Sequence, residues 1–291
     1  MFSLKPLLLH FYYGVQYPYR RWLDARRAAA GRAPIMVLGY HRIADDQATP
    51  WTQTNRSFAR QMAWLRQHFD MISLGEAQRR LRSGRNHRAA VSITFDDGYA
   101  ANCVSALPLL LREGIPCTYF VSTRNVLEGR PFDHDLALGH SLPPNTVDEL
   151  RALAEAGVEI GVHTRTHADL GPIMDPTQLH DEVVFAGVEL AEAIDWPVRY
   201  FAFPFGKHAN LNPAAFAMGK EYGYEAMCSA YGGFNFPGDD PFHLQRIMVD
   251  ELTIRLKNWV TVDPRKLRSV HRFEYESAAV DCLEAAGADA V

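Results

Sequence analysis

The sequence predicts a single α/β domain folded as a distorted (β/α) barrel of about seven parallel strands. Apolar runs of strand length alternate with helical patterns across residues 34–262, and most of the helical stretches carry start and stop signals. The chain has 291 residues, 47% of them apolar, enough to bury one large core. Strands alternating with helices imply parallel pairing through right-handed crossovers; an open doubly wound sheet is the other arrangement that fits. In either fold, reactive residues belong at the C-terminal ends of the strands.

Ile35–Tyr40 reads as the first buried strand, and Phe58, Met62, Leu65 and Phe69 mark a helix over Ser57–Phe69. Ser73-Leu-Gly-Glu76 is a capping-box sequence opening a short helix that ends near Gly84. Val91–Phe95 is the next strand, followed by a helix through Leu107–Leu111 that ends at Gly114, and then the Cys117–Val121 strand. Thr146-Val-Asp-Glu149 is a second capping box, and its helix stops at Gly157 before the Val158–Val162 strand. Asp175-Pro176 and Asn212-Pro213 each place proline at the first helical position, where no N–H is needed. Tyr200–Phe203, Glu225–Ser229 and Leu244–Val249 complete the strands.

A formal net charge of −4 and a pI of about 6.3 give no general phosphate-binding surface, so nucleic acid is not an expected partner. Cys103, Cys117, Cys228 and Cys282 are scattered without a C-x-x-C pair, and read as small buried apolar residues of a reducing compartment. No stretch is apolar enough to span a bilayer. Residues 1–33 form an N-terminal extension without a clear signal peptide: His10 interrupts the short apolar run. Leu7, Leu8, Leu9, Phe11, Tyr12 and Val15, followed by Arg20, Arg21, Arg26 and Arg27, make it either an interfacial helix at an anionic membrane or a helix packed on the domain. Residues 263–291 read as a tail.

Three clusters fall at strand ends. Thr94-Phe-Asp96-Asp97-Gly98-Tyr99 sets two adjacent carboxylates directly after an apolar strand, where they repel unless a cation or hydrogen bonds compensate. His163-Thr-Arg-Thr-His167 follows the next strand but one, and a four-residue spacing brings both imidazoles to one side of a helical turn. Two imidazoles and a carboxylate with open positions suit a catalytic Zn²⁺ or another first-row divalent metal such as Co²⁺. Phe203-Pro204-Phe205-Gly206 is a rigid turn able to wall a pocket.

The order T-F-D-D-G-Y, H-T-x-x-H, F-x-x-P-F-G, with Tyr40-His41-Arg42-Ile43 upstream, resembles the polysaccharide deacetylases that share the NodB homology domain (carbohydrate esterase family 4) over roughly Ile35 to Val249. The resemblance implies hydrolysis of an N-acetyl group on an amino sugar. It makes Asp96 the base and Asp97, His163 and His167 the metal ligands, with Thr164 steadying the histidine loop. The Phe205 N–H would bind the oxyanion, and Pro204 and Tyr99 would stand at the substrate.

Two family features are absent. The arginine expected two residues before Pro204 is Ala202, and no late Leu-x-His motif supplies a proton donor. Arg246 is the expected replacement beside Asp96, and His41 the expected proton donor or substrate contact. Trp51, Phe132, Tyr231, Phe234 and Phe236 are loop aromatics that either pack locally, the commoner role, or stack on a sugar, Arg130–Pro144 has the composition of a lid, and His134 and His140 within it are expected to face solvent. The expected substrate is an acetylated glycan or a lipid-linked sugar, met in the cytoplasm or at the cytoplasmic face of a membrane. A hydrolase of a non-sugar amide or imide, and a non-catalytic carbohydrate-binding relative, are the alternatives.

Overall fold

The computed structural model describes residues 4–276. Cys282 and the end of the tail lie outside the described residues. A nine-stranded, all-parallel sheet organises the fold. Eight strands run in the spatial order His243–Leu244, Ala226–Cys228, Tyr200–Ala202, Glu159–Val162, Cys117–Val121, Ala90–Phe95, Ile35–Tyr40 and Arg246–Met248. Asp70–Met71 adds a short branch on Ala90–Phe95.

The two ends of this path are successive pieces of one segment broken only at Gln245, so the sheet is nearly closed as a barrel. Asn235 holds the seam. Its backbone exchanges hydrogen bonds with Ile35, and its side chain both accepts from the Gln245 N–H and donates to the Gln245 carbonyl, each at 2.9 Å. The Tyr231–Phe236 segment is therefore part of the closure of the barrel, and Phe234 is buried in the core, not placed at a cleft.

Alternation along the strands divides the apolar residues between two cores. Met36, Leu38, Tyr40, Val91, Ile93 and Phe95 face outward to the surrounding helices. Ile35, Val37, Phe120, Tyr200 and Ala202 form a smaller cluster with the helix Leu74–Arg82. Ser73 caps that helix by accepting from the Glu76 N–H, but the Glu76 carboxylate turns to Arg79 and Arg80, so the box is half formed. The Thr146–Glu149 box is complete. The helix begun at Pro176 does not stop: it passes through a π-helical turn, Asp181–Phe185, and continues as Ala186–Ile194.

The N-terminal helix, Leu4–Ala29, packs against the helix Thr253–Val260. Arg20 is fully buried there, bonded to Asp263, Thr261 and the Asn258 carbonyl, so it does not share the exposed basic face expected of it. Leu9 and Tyr12 are half-buried, whereas Leu7, Leu8, Phe11 and Val15 are exposed. No helix among the described residues is long and apolar enough to cross a membrane. Cys117 and Cys228 are buried and Cys103 half-buried, all three free; burial pushes the Cys117 and Cys228 thiols up to about 12.

Candidate active site

At the C-terminal ends of the strands lies a cavity of about 310 Å³, and all three sequence clusters reach it. Asp96 and Asp97 follow directly on Ala90–Phe95, and both are almost wholly buried. The turn after them needs Gly98, with φ +100° and a Cβ position only 2.9 Å from Val121 Cγ1. Asp97 has φ +74°, Thr164 +59°, His167 +60° and Phe205 +59°. Non-glycine residues avoid this left-handed region, and its concentration here is the kind of stored strain that functional sites carry.

The two carboxylates have different partners. Arg246, fully buried, donates from Nη1 to Asp96 Oδ1 at 2.5 Å and from Nη2 to Asp96 Oδ2 at 2.9 Å. The guanidinium is held in turn by Thr94 Oγ1, the Ser229 carbonyl and the face of Phe120. Burial opposes ionisation of Asp96, but the Arg246 charge, helped by His163 and the fork of hydrogen bonds, outweighs it and keeps the carboxyl below its ordinary range. Asp97 Oδ1, in contrast, is buried with no hydrogen-bond partner. His167 Nε2 lies 3.2 Å from it and His163 Nε2 3.6 Å.

An orphaned carboxylate oxygen faced by two imidazole nitrogens is the arrangement a divalent cation would complete. The ligand atoms of Asp97, His163 and His167 all lie within 4.8 Å of one another. His163 Nδ1 is 2.8 Å from the Ala202 carbonyl, which fixes the tautomer with Nε2 free towards Asp97. Burial pushes the His163 imidazole down to about 4, so it is neutral, as a ligand must be, at physiological pH.

The histidine loop is not a helical turn. His163 closes a strand, and left-handed backbone at Thr164 and His167 folds the second imidazole back towards the first, their ring centroids 5.2 Å apart. Thr164 Oγ1 accepts from the Ala168 N–H. Glu182, buried in the π-helical turn, accepts from the N–H groups of Arg165 and Thr166 and from the Thr166 hydroxyl. Such turns are frequent where a side chain must be aimed at a functional loop.

Phe205 stands at the cavity mouth beside Pro204, with its ring 5.3 Å from that of His167. Gly206 behind it has no room for a side chain: a Cβ would sit 2.5 Å from the Ala230 nitrogen. His41 lines the cavity from the first strand. Ala202, where the family arginine is missing, serves the site through its carbonyl alone.

Several placements were not legible in the sequence. Tyr99 is fully buried and does not line the cavity; its hydroxyl is 2.7 Å from Asp135 and 2.9 Å from His134 Nε2. His134 does line it, 5.1 Å from the His167 ring and edge-on to Trp51, and so does not simply face solvent. Trp51 donates to Asp135 at 3.1 Å and is the one loop aromatic of the expected five that lines the cavity. Phe132 is buried against Tyr99 with Leu142, and the Ala100 N–H donates to the Pro143 carbonyl, so 130–144 is tied down over the site.

The polysaccharide deacetylase family model matches residues 83–227, about half of the chain, including the Asp96-Asp97 and His163–His167 clusters. YxkH of Bacillus subtilis (strain 168), named for polysaccharide deacetylases, is 23% identical over 219 residues, 75% of this chain and 72% of that one. A chitooligosaccharide deacetylase of Bradyrhizobium sp. (strain ANU 289) is 29% identical over 119 residues, 40% of this chain and 46% of the relative, less than half of its length. Among solved structures, IcaB from Ammonifex degensii superposes with a TM-score of 0.66 at 22% identity, covering 79% of this chain and 97% of that one. Streptococcus pyogenes deacetylase PplD gives 0.64 at 18% identity, covering 78% and 99%. These likenesses confirm the barrel, and the motif order, the family match and the fold together make the chain a member of the polysaccharide deacetylase family, a hydrolase of carbon–nitrogen bonds other than peptide bonds.

Proposed function

We propose that the protein hydrolyses the N-acetyl group of an N-acetylated amino sugar, with Asp96 as base and Asp97, His163 and His167 holding one divalent metal, Zn²⁺ in first place. The observation that carries this reading is the division of labour between the two carboxylates. Asp96 is kept ionised by Arg246, while Asp97 presents an unpartnered oxygen to two imidazoles.

A metal held there would polarise the amide carbonyl and lower the pKa of water. Asp96 accepts the proton from the attacking water, and Arg246 positions it for that task through the two-point fork. The Phe205 N–H, which has no acceptor in any backbone pair among the described residues, donates to the oxyanion. His41 gives a proton to the departing amine, so that acetate and the free amino sugar leave. Trp51, Phe203 and Phe205 wall the cavity and restrict water.

The exposed face of the N-terminal helix supports a peripheral membrane contact. Leu8, Phe11, Val15, Tyr19 and Trp22 recur every three or four residues along it, with Arg21 and Arg26 beside them.

The test is acetate release from N-acetylglucosamine oligomers by purified protein with Zn²⁺ or Co²⁺ added or chelated, beside Asp96→Asn. Metal-dependent acetate that disappears in the variant is expected. A protein that binds a metal yet releases acetate from no acetamido sugar would point to a different amide, and one that binds no metal would overturn the site.

A further inference from the structure

A second, larger cavity lies outside the catalytic one. About 650 Å³ in volume, within the ~300–1,000 Å³ range of ligand sites, it runs between the N-terminal helix and the segment that closes the barrel. Its walls are mainly apolar, from Leu8, Leu9, Tyr12, Met248, Leu256 and Trp259.

Two residues connect it to its surroundings. Met248, at the C-terminal end of the last strand, lines both this groove and the catalytic cavity, so a single side chain's width separates them. Leu8 lines the groove at its other end and belongs to the exposed apolar stripe that continues through Phe11, Val15 and Trp22. An apolar path therefore leads from the outer face of the helix to the edge of the metal site.

The rim has a cationic excess: Arg255, Arg265 and Lys266 line the groove with Asp250 and Asp263. Arg255 pairs with Asp250, and Arg265, 3.7 Å from Asp263, lies over the Tyr12 ring. Lys266 presses its ammonium to 2.8 Å from the centre of the Trp259 ring. Burial lowers the Lys266 amine to about 7, so an anion arriving there would restore its charge and gain a strong partner.

We propose that this groove is the binding site for the lipid chain of a lipid-phosphate-linked acetamido sugar, with the phosphate at Lys266 and Arg265 and the sugar entering the catalytic cavity past Met248. An apolar groove that takes one alkyl or isoprenoid chain, a cationic collar and an adjoining hydrolytic site match the three parts of such a substrate in order. The assignment rests on the deacetylase reading above and names its substrate class.

Farnesyl phosphate, kept below its aggregation concentration, is titrated calorimetrically into the full chain beside N-acetylglucosamine 1-phosphate. It should bind about tenfold more tightly than the sugar phosphate. Leu8→Glu, at an exposed position, and Lys266→Glu should each weaken it about tenfold, the first by setting a carboxylate against the lipid chain and the second by setting a like charge against the phosphate. Acetate release from N-acetylglucosamine oligomers should be unchanged in both variants, and farnesyl-phosphate-linked N-acetylglucosamine should be cleaved with a kcat/KM about tenfold above N-acetylglucosamine 1-phosphate. Farnesyl phosphate binding no tighter than the sugar phosphate, or binding both variants like the wild type, overturns the groove. If oligomers still release acetate in that case, the deacetylase reading stands alone; if farnesyl phosphate binds but no acetamido sugar is cleaved, the deacetylase reading is the one that fails.

Discussion

Arg246 and Asp96, 150 positions apart in the chain, meet inside the barrel as a buried two-point ion pair. Their strands do not touch directly: Ile35–Tyr40 lies between, pairing with Ala90–Phe95 on one side and Arg246–Met248 on the other. The long guanidinium crosses that strand on the inner face of the barrel and grips the carboxylate that the motif leaves at the strand end.

Arg246→Met should therefore act on both stability and pH dependence. Removing one partner of a buried pair typically costs about 3–5 kcal/mol, visible as a lower Tm. Because the folded-state pKa of Asp96 is depressed, its contribution to stability is complete above the ordinary carboxylate range and is lost as pH falls through the depressed value. Without Arg246 the carboxyl titrates higher, so the acid limb of kcat/KM should move to higher pH. An unmoved acid limb would mean that Arg246 has only a structural role.

Metal content should follow the three proposed ligands. Asp97→Asn, His163→Ala and His167→Ala should each abolish stoichiometric Zn²⁺ binding by elemental analysis, while Asp96→Asn keeps it. Chelation should lower the Tm of the wild type, since a ligand that binds only the folded state stabilises it by mass action. A wild-type Tm indifferent to chelator and to added Zn²⁺ would count against the site.

Glu182→Gln tests the support beneath the histidine loop. The substitution keeps every metal ligand but weakens the acceptor shared by Arg165, Thr166 and the Thr166 hydroxyl. Metal affinity should fall about 10–100-fold, the usual cost of losing an outer-shell contact, as read by competition with a chromogenic chelator.

The Phe205 turn should tolerate no side chain at Gly206. Gly206→Ala combines a φ of +60° with a Cβ driven to 2.5 Å from the Ala230 nitrogen. Displacement of the neighbouring N–H should lower kcat by about 10²–10³ with a smaller change in KM. Equal kcat in the variant and the wild type would remove that N–H from the mechanism.

His41 and His134 both border the cavity, and their variants should differ. His41→Ala should lower kcat by about 10²–10⁴, as expected when a proton donor is lost. His134→Ala, and Tyr99→Phe which frees it, should mainly raise KM. The reverse pattern would transfer the donor role to His134.

Much of this protein is written locally. The strand–helix alternation, the caps at Ser73 and Thr146 and the proline starts at Pro176 and Pro213 depend on residues within one or two turns of each other, so their outcome is visible in sequence. The same is true of the placement of Asp96 and His163, because each simply continues a strand past its last apolar residue, and of Asp97 in the turn that follows Asp96.

What only the tertiary structure decided are relations between distant segments. That Arg246 reaches Asp96, that Asn235 seals the barrel at Gln245, and that Arg20 of the N-terminal helix is buried against Asp263 each depends on which segments the fold makes neighbours. Tyr99 and His134 show the same limit at the site: the sequence places the tyrosine at the substrate and the histidine in solvent, but packing turned the tyrosine inward to Asp135 and the histidine towards the cavity. Backbone hydrogen bonds and alternation are set by near neighbours, whereas the direction and partner of a side chain are set by whatever the fold brings against it.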